Sequence, residues 1–141
     1  MSFTEYLSPL IGRWMLVWFF LSEVGTYGGD WYGTVARMSA GSIPAAPLVL
    51  AILLMALILG SLSLALGYFT RQGALLLFAV TIFAAVSMQG LWPAGRGGLA
   101  QPAADFQIFA HNIAVAGGLL LLVGMGPGAF ALDNRHTRRS R

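Results

Sequence analysis

Four apolar runs dominate the chain, at residues 10–28, 47–67 (PLVLAILLMALILGSLSLALG), 73–92 (GALLLFAVTIFAAVSMQGLW) and 106–126. Each reaches the about 20 residues that a helix needs to cross the hydrocarbon core of a bilayer. The pattern therefore predicts four spanning helices. Only YFTRQ separates the second run from the third, which leaves room for a tight antiparallel turn and nothing more. The segment between the first two runs, GGDWYGTVARMSAGSIPAAP, has a different rhythm. Trp31, Val35 and Met38 recur there at helical spacing, with Arg37 and Ser39 off the stripe. Gly28 and Gly29 break the chain before it, and Gly41 and Pro44 after it. This predicts a short amphipathic helix, lying in the membrane interface or tucked back against the bundle. The later connection, PAGRGGLAQPAAD, is rich in glycine and proline and reads as a flexible loop. No internal repeat is evident. The expected fold is an all-α integral membrane protein: a four-transmembrane-helix bundle with a short amphipathic helix in the first outer loop.

Composition supports that assignment. Of 141 residues, 57% are hydrophobic and 9% charged, against about 25% charged in a soluble domain. So little polar surface cannot cover a globule in water, and membrane lipid is the expected solvent. With no cysteine, disulfides, thiolate metal sites and a cysteine nucleophile are excluded. The apolar start resembles a signal peptide in having one arginine ahead of its core. Glu5 in that leader and the lack of an A-x-A-like site favour a retained helix. All eight basic residues are arginine, and the net charge is +3. An even number of spans puts both termini on one side, grouping Arg13 and Arg71 with Arg135, Arg138, Arg139 and Arg141 against Arg37 and Arg96. The positive-inside rule makes the larger group cytoplasmic. Residues 1–132 are then one membrane domain and 133–141 a basic cytoplasmic tail. Charge clustered beside a span is a topology signal, and no nucleic-acid partner is expected.

One charge lies inside a span. Glu23 sits about 7–8 Å short of the end of the first run, at 1.5 Å rise per residue. An intramembrane ionisable group is a functional hypothesis by default, with its partner to be named. His111 lies five residues into the fourth run, which starts from the same face, and so reaches a similar depth. Gln89 is slightly shallower, and Tyr27 stands one turn beyond Glu23. Glu23, Tyr27, Gln89 and His111 are therefore the candidate ligand-binding residues, with Glu23 paired to His111. Two other readings stand beside this one: a Glu–His bond that fixes helix register, and a contact with another subunit. Trp14, Trp31, Arg37 and Trp92 are expected at the membrane interface, where aromatic and basic residues anchor helices. Ala110, Ala114 and Gly118 form a small-residue stripe suited to close helix approach and, secondarily, to homo-oligomers. Ser61 and Ser63 are expected to bond carbonyls of their own helix. No metal site, phosphate loop, dinucleotide fingerprint or catalytic triad is recognisable, and no catalytic residue is assigned.

The run GRWMLVWFFLSEVGTYGGDW…ARMSAGSIPAAPLVLA, followed by LGSLSLALGYFTR and HNIAVAGGLLLLVGMGPGAFALD, resembles the DoxX family over roughly residues 9–133. These are small four-helix membrane proteins of bacteria and archaea, and the resemblance implies a bacterial inner membrane. Relatives include a subunit of an archaeal thiosulfate:quinone oxidoreductase and membrane partners of oxidative-stress proteins. Members often carry a lysine where Tyr27 stands and a glutamate where Leu57 stands, so the carboxylate here lies on a different helix. The expected function is a membrane subunit of a redox system, binding quinone or a similar small ligand near the outer face in concert with a membrane or membrane-associated partner. No cofactor is intrinsic to the chain. If the protein is enzymatic, it is a quinone-linked oxidoreductase subunit and not catalytic alone. The competing expectation is a non-catalytic scaffold of a larger membrane complex. A transporter is a weaker third, since no broken helix crosses the midplane.

Overall fold

The computed structural model describes residues 3–88 and 102–126, and the side chains within 7–86 and 106–126. Among these residues there are five helices: α1 Phe3–Gly29, α2 Trp31–Ala40, α3 Ala46–Leu66, α4 Thr70–Met88 and α5 Pro102–Met125. Three of them, α1 from Leu7, α3 and α5 from Phe106, are long and apolar enough to span a membrane, and α4 carries a shorter apolar stretch. The architecture is a four-helix membrane bundle with α2 as the added short helix. Helix α1 begins seven residues earlier than the apolar pattern predicts, because a helix need not stop where its hydropathy does. Helix α5 begins at Pro102 rather than residue 106. Proline is pre-organised for a first helical turn, where its missing N–H is not needed. Gln89, Trp92, Arg96, the glycine-rich connection and the basic tail lie outside the described residues.

The helices run antiparallel in sequence. Helix α3 packs on α1 and α4, and α5 packs on α4. Their shared core is Val17 and Phe20 from α1, Leu57 and Leu64 from α3, Ala74 and Leu77 from α4, and Leu119 from α5. The outward faces are as apolar as this core: Trp18, Leu121 and Met125 are 74%, 66% and 82% exposed. Such surface suits lipid, since soluble monomers rarely expose large contiguous apolar patches. Close approach of α3 and α4 depends on Gly60, where an added Cβ would stand 2.5 Å from Leu77 Cγ. The predicted stripe on α5 does not serve this purpose within the chain. Ala110 and Ala114 are exposed, and nothing lies within 4 Å of a Cβ placed on Gly118.

Helix α2 packs on both α1 and α3. Its Met38 is buried with Ala46 and Leu50 of α3, and Trp31, Val35 and Tyr27 close over them. Arg37 stays exposed, bonded to Asp30 at 3.3 Å and to the Thr34 hydroxyl at 3.1 Å. Asp30 also caps the helix by accepting the Gly33 N–H at 3.2 Å. Of the two predicted dispositions, α2 takes the tucked one.

The α3–α4 turn is held from within. Gly67 takes the left-handed conformation (φ 66°) that terminates α3, and its N–H reaches the Ser63 carbonyl at 2.9 Å. Ser63 departs from expectation. Its hydroxyl donates forward to the carbonyls of Tyr68 (2.7 Å) and Phe69 (3.1 Å), whereas Ser61 does bond its own helix at Leu57 O (2.6 Å). At this same end lies a buried arginine. Arg13 is 3% exposed, with Nε donating to Leu64 O at 3.0 Å and Nη2 to Ala65 O at 3.3 Å. Besides any topological role, Arg13 binds α1 to the carboxyl end of α3. Cationic donors are favoured there because the last carbonyls of a helix lack helical partners and carry the negative end of its dipole.

Candidate functional site

Near the α2 end, the four long helices enclose a cavity of about 30 Å³. Helix α1 contributes Phe19, Phe20, Glu23 and Tyr27, with Glu23 three or four residues after the two phenylalanines and four before Tyr27, and so on one face. Helix α3 supplies an aliphatic wall that includes Leu50, Leu54 and Leu57, α4 supplies Val80, Thr81 and Ala84, and α5 supplies Asn112. Most of the lining is therefore hydrocarbon, with four polar side chains converging on a small volume. That is the usual composition of a ligand site, although the volume is far smaller than the several hundred Å³ of a typical pocket. It suffices for one or two waters.

The polar groups are partly committed. The Tyr27 hydroxyl and the Glu23 carboxyl, one turn apart on α1, interact with each other. The Thr81 hydroxyl donates to the Leu77 carbonyl at 2.7 Å. Arg37 of α2 lies near enough to Tyr27 to interact with it electrostatically, which connects the cavity to the exposed Asp30–Arg37 pair.

The four candidates from the sequence are distributed unequally. Glu23 and Tyr27 line the cavity. His111 interacts electrostatically with Glu23, but it is exposed and is not among the lining residues. Its ring rests instead on Phe19, with centroids 5.3 Å apart, and the two rings bridge α1 and α5. Gln89 lies outside the described residues. Of the interface candidates, Trp14 is exposed on α1, Trp31 is half-buried at the start of α2 and Arg37 is exposed. Two polar lining residues were not anticipated, Thr81 and Asn112. Asn112 carries a readable signal, since it lies four and seven residues before the buried Ala116 and Leu119 and so shares their face. Leu57, where the family resemblance suggests a glutamate, is part of the cavity wall as well. Glu23 and Leu57 thus face the same space from different helices. No group of three or more His, Cys, Asp or Glu capable of holding a metal ion occurs among the described residues.

Fold and cavity together define a small four-helix integral membrane protein with a polar pocket inside the bundle. The DoxX family model matches residues 8–90, more than half of the chain, and the chain belongs to that family. It is 29% identical over 129 residues to inner membrane protein YqjF of Escherichia coli (strain K12), covering 92% of each chain. To inner membrane protein YphA of the same organism it is 33% identical over 103 residues, covering 73% of this chain and 71% of that one. No solved structure matches it.

Proposed function

We propose that this DoxX family protein is a bacterial inner-membrane subunit of a redox system, binding a quinone or similar small ligand with a partner that supplies the electron transfer. The observation that carries the reading is the cavity: a carboxyl, two hydroxyls and an amide held in hydrocarbon where four helices meet. A quinone headgroup needs an apolar surface for its ring and a few polar groups for its oxygens, and Glu23 and Tyr27 supply the latter. Helix α5 packs on α4 and meets α1 at the Phe19–His111 ring pair. A lipid-soluble ligand reaches the polar groups through that seam, with His111 at its mouth. In this reading residues 1–132 form one membrane domain with both termini cytoplasmic, and the cavity lies toward the outer face. The similarity to two inner membrane proteins supports the compartment.

A second reading, a non-catalytic scaffold in a larger complex, draws on the outward small face of α5 at Ala110, Ala114 and Gly117. Purification in mild detergent, with extraction of quinone and identification of co-purifying polypeptides, separates the two. Quinone retained by the wild type and lost in Glu23→Gln supports a binding site. A stoichiometric partner without quinone, unaffected by Glu23→Gln, supports the scaffold.

A further inference from the structure

A quinone ring does not fit the cavity as it stands. At about 30 Å³ the space takes a water or two, so a wall has to yield before a ring can lie beside Glu23 and Tyr27. On the bundle side, Phe20 and Leu57 belong to the shared core, and Gly60 seats α3 so close to Leu77 that an added methyl would not fit. The opposite wall is backed differently. Tyr27, Leu50, Leu53 and Leu54 line the cavity, and the same four residues belong to the apolar cluster beneath α2 that is centred on Met38. Met38 is 1% exposed, and its unbranched side chain is of the kind that fills gaps and repacks readily.

Helix α2 is lightly held. It has ten residues, too few for a helix to persist without packing. The hydrogen bonds described for residues 31–43 lie within the segment 30–43, so apolar contact is what holds α2 to α1 and α3. In the connection to α3, Ser42 and Ala45 take left-handed φ values of 63° and 51°, two of the three such non-glycine residues among those described. That conformation is disfavoured for a residue with a Cβ, and such strain concentrates in segments that switch.

We infer that the ring of the ligand binds beneath α2, in the place now filled by Met38, and that α2 is the lid that lifts to admit it. This rests on the ligand reading above and adds where the ring goes. The ring lies on Leu50 and Leu54 with one oxygen toward the polar end of the cavity, and Met38 swings out with α2. Apolar surface that Met38 uncovers is covered again by the ring, so opening does not leave it in water.

The test uses a decyl-chain benzoquinone substituted at every ring position, which keeps it from adding to thiols, with binding to the full chain in detergent followed by calorimetry. The chain has no cysteine, so Met38→Cys introduces a thiol that reports alone. It should react slowly with a water-soluble maleimide when no quinone is present. At saturating quinone it should react at least about tenfold faster, because a minor open state is populated to about 10% or less in the free protein. Ala36→Cys, on the exposed side of α2, should react at one rate throughout. Met38→Ala weakens closure and clears part of the ring's place, so it should bind the quinone severalfold tighter than the wild type; a purely structural role for Met38 predicts binding unchanged or weaker. Quinone binding without faster reaction of Met38→Cys, equal acceleration at both cysteines, or no gain in affinity from Met38→Ala would each overturn the lid while leaving a quinone-class site standing. Binding to neither the wild type nor the Met38 variants would remove the ligand reading and the lid with it.

Discussion

Arg13 offers the sharpest test of how the bundle is held. Replacing it with methionine keeps an unbranched stem of similar length in contact with the bundle and removes the guanidinium. At least two hydrogen bonds go with it among the described residues, at 3.0 Å to Leu64 O and 3.3 Å to Ala65 O. A hydrogen bond involving a charged group contributes about 1.5–3 kcal/mol, which puts the gross loss near 3–6 kcal/mol. Part is returned, because the variant no longer has to hold a cation away from water. The expected net destabilisation is about 2–4 kcal/mol. Arg13→Lys separates charge from geometry: an ammonium still complements the end of α3, for about 0.3–1 kcal/mol, but cannot span two carbonyls as a planar fork does. It should fall between methionine and the wild type. Reversible unfolding of the full chain in mixed micelles, followed by tryptophan fluorescence, gives both differences. A methionine variant within about 0.5 kcal/mol of the wild type, below the lower end of one such bond, would refute the reasoning and leave Arg13 a topology signal only.

Three further predictions follow from the packing. Gly60→Ala forces a methyl to 2.5 Å from Leu77 Cγ, and Leu77 is buried with no room to swing; it should cost about 1–3 kcal/mol by overpacking. If the clash is the cause, adding Leu77→Ala should cost less in the Gly60→Ala background than alone, which a double-mutant cycle measures. Asp30→Ala removes the α2 cap and the exposed pair with Arg37, for about 1 kcal/mol from the cap and little from the pair. Hydrogen exchange should quicken over residues 31–40 and not in α3; uniform quickening would show that α2 does not open separately. The double variant Glu23→Leu, Leu57→Glu moves the carboxyl across the cavity, and it should retain quinone in detergent extracts better than Glu23→Leu alone. Equal loss in both would mean that the helix bearing the carboxyl matters, not the space it faces.

What could be read from the sequence and what could not divides along a physical line. Spans are legible because lipid rewards about 20 apolar residues whatever their order. Helix α2 was legible because one side meets water, so Trp31, Val35 and Met38 stand out against Arg37 and Ser39. Ser63 shows the limit: whether a helical hydroxyl bonds back or forward depends on the turn beyond it, and Gly67 at φ 66° brings the Tyr68 and Phe69 carbonyls within reach. Arg13 shows another, since counting arginines by side says nothing of which carbonyls one of them meets.

The site was half legible for a related reason. Depth along a helix follows from counting residues at 1.5 Å each, and on depth His111 and Asn112 are equivalent partners for Glu23. Direction around the helix is a separate coordinate, and adjacent residues differ in it by about 100°. A helix apolar on every side offers no water-facing stripe from which to read direction. In α5 small and large apolar residues become directional marks once Ala116 and Leu119 are known to be buried. Asn112 then falls on the inner face, and His111 moves to the α1 seam against Phe19. Thr81 is found in the same way, four residues after Leu77 and four before Ala85, both fully buried. In a membrane bundle, a polar residue is therefore best assigned to a site by its phase relative to the tightly packed positions of its own helix. Depth narrows the candidates to a layer, and phase chooses among them.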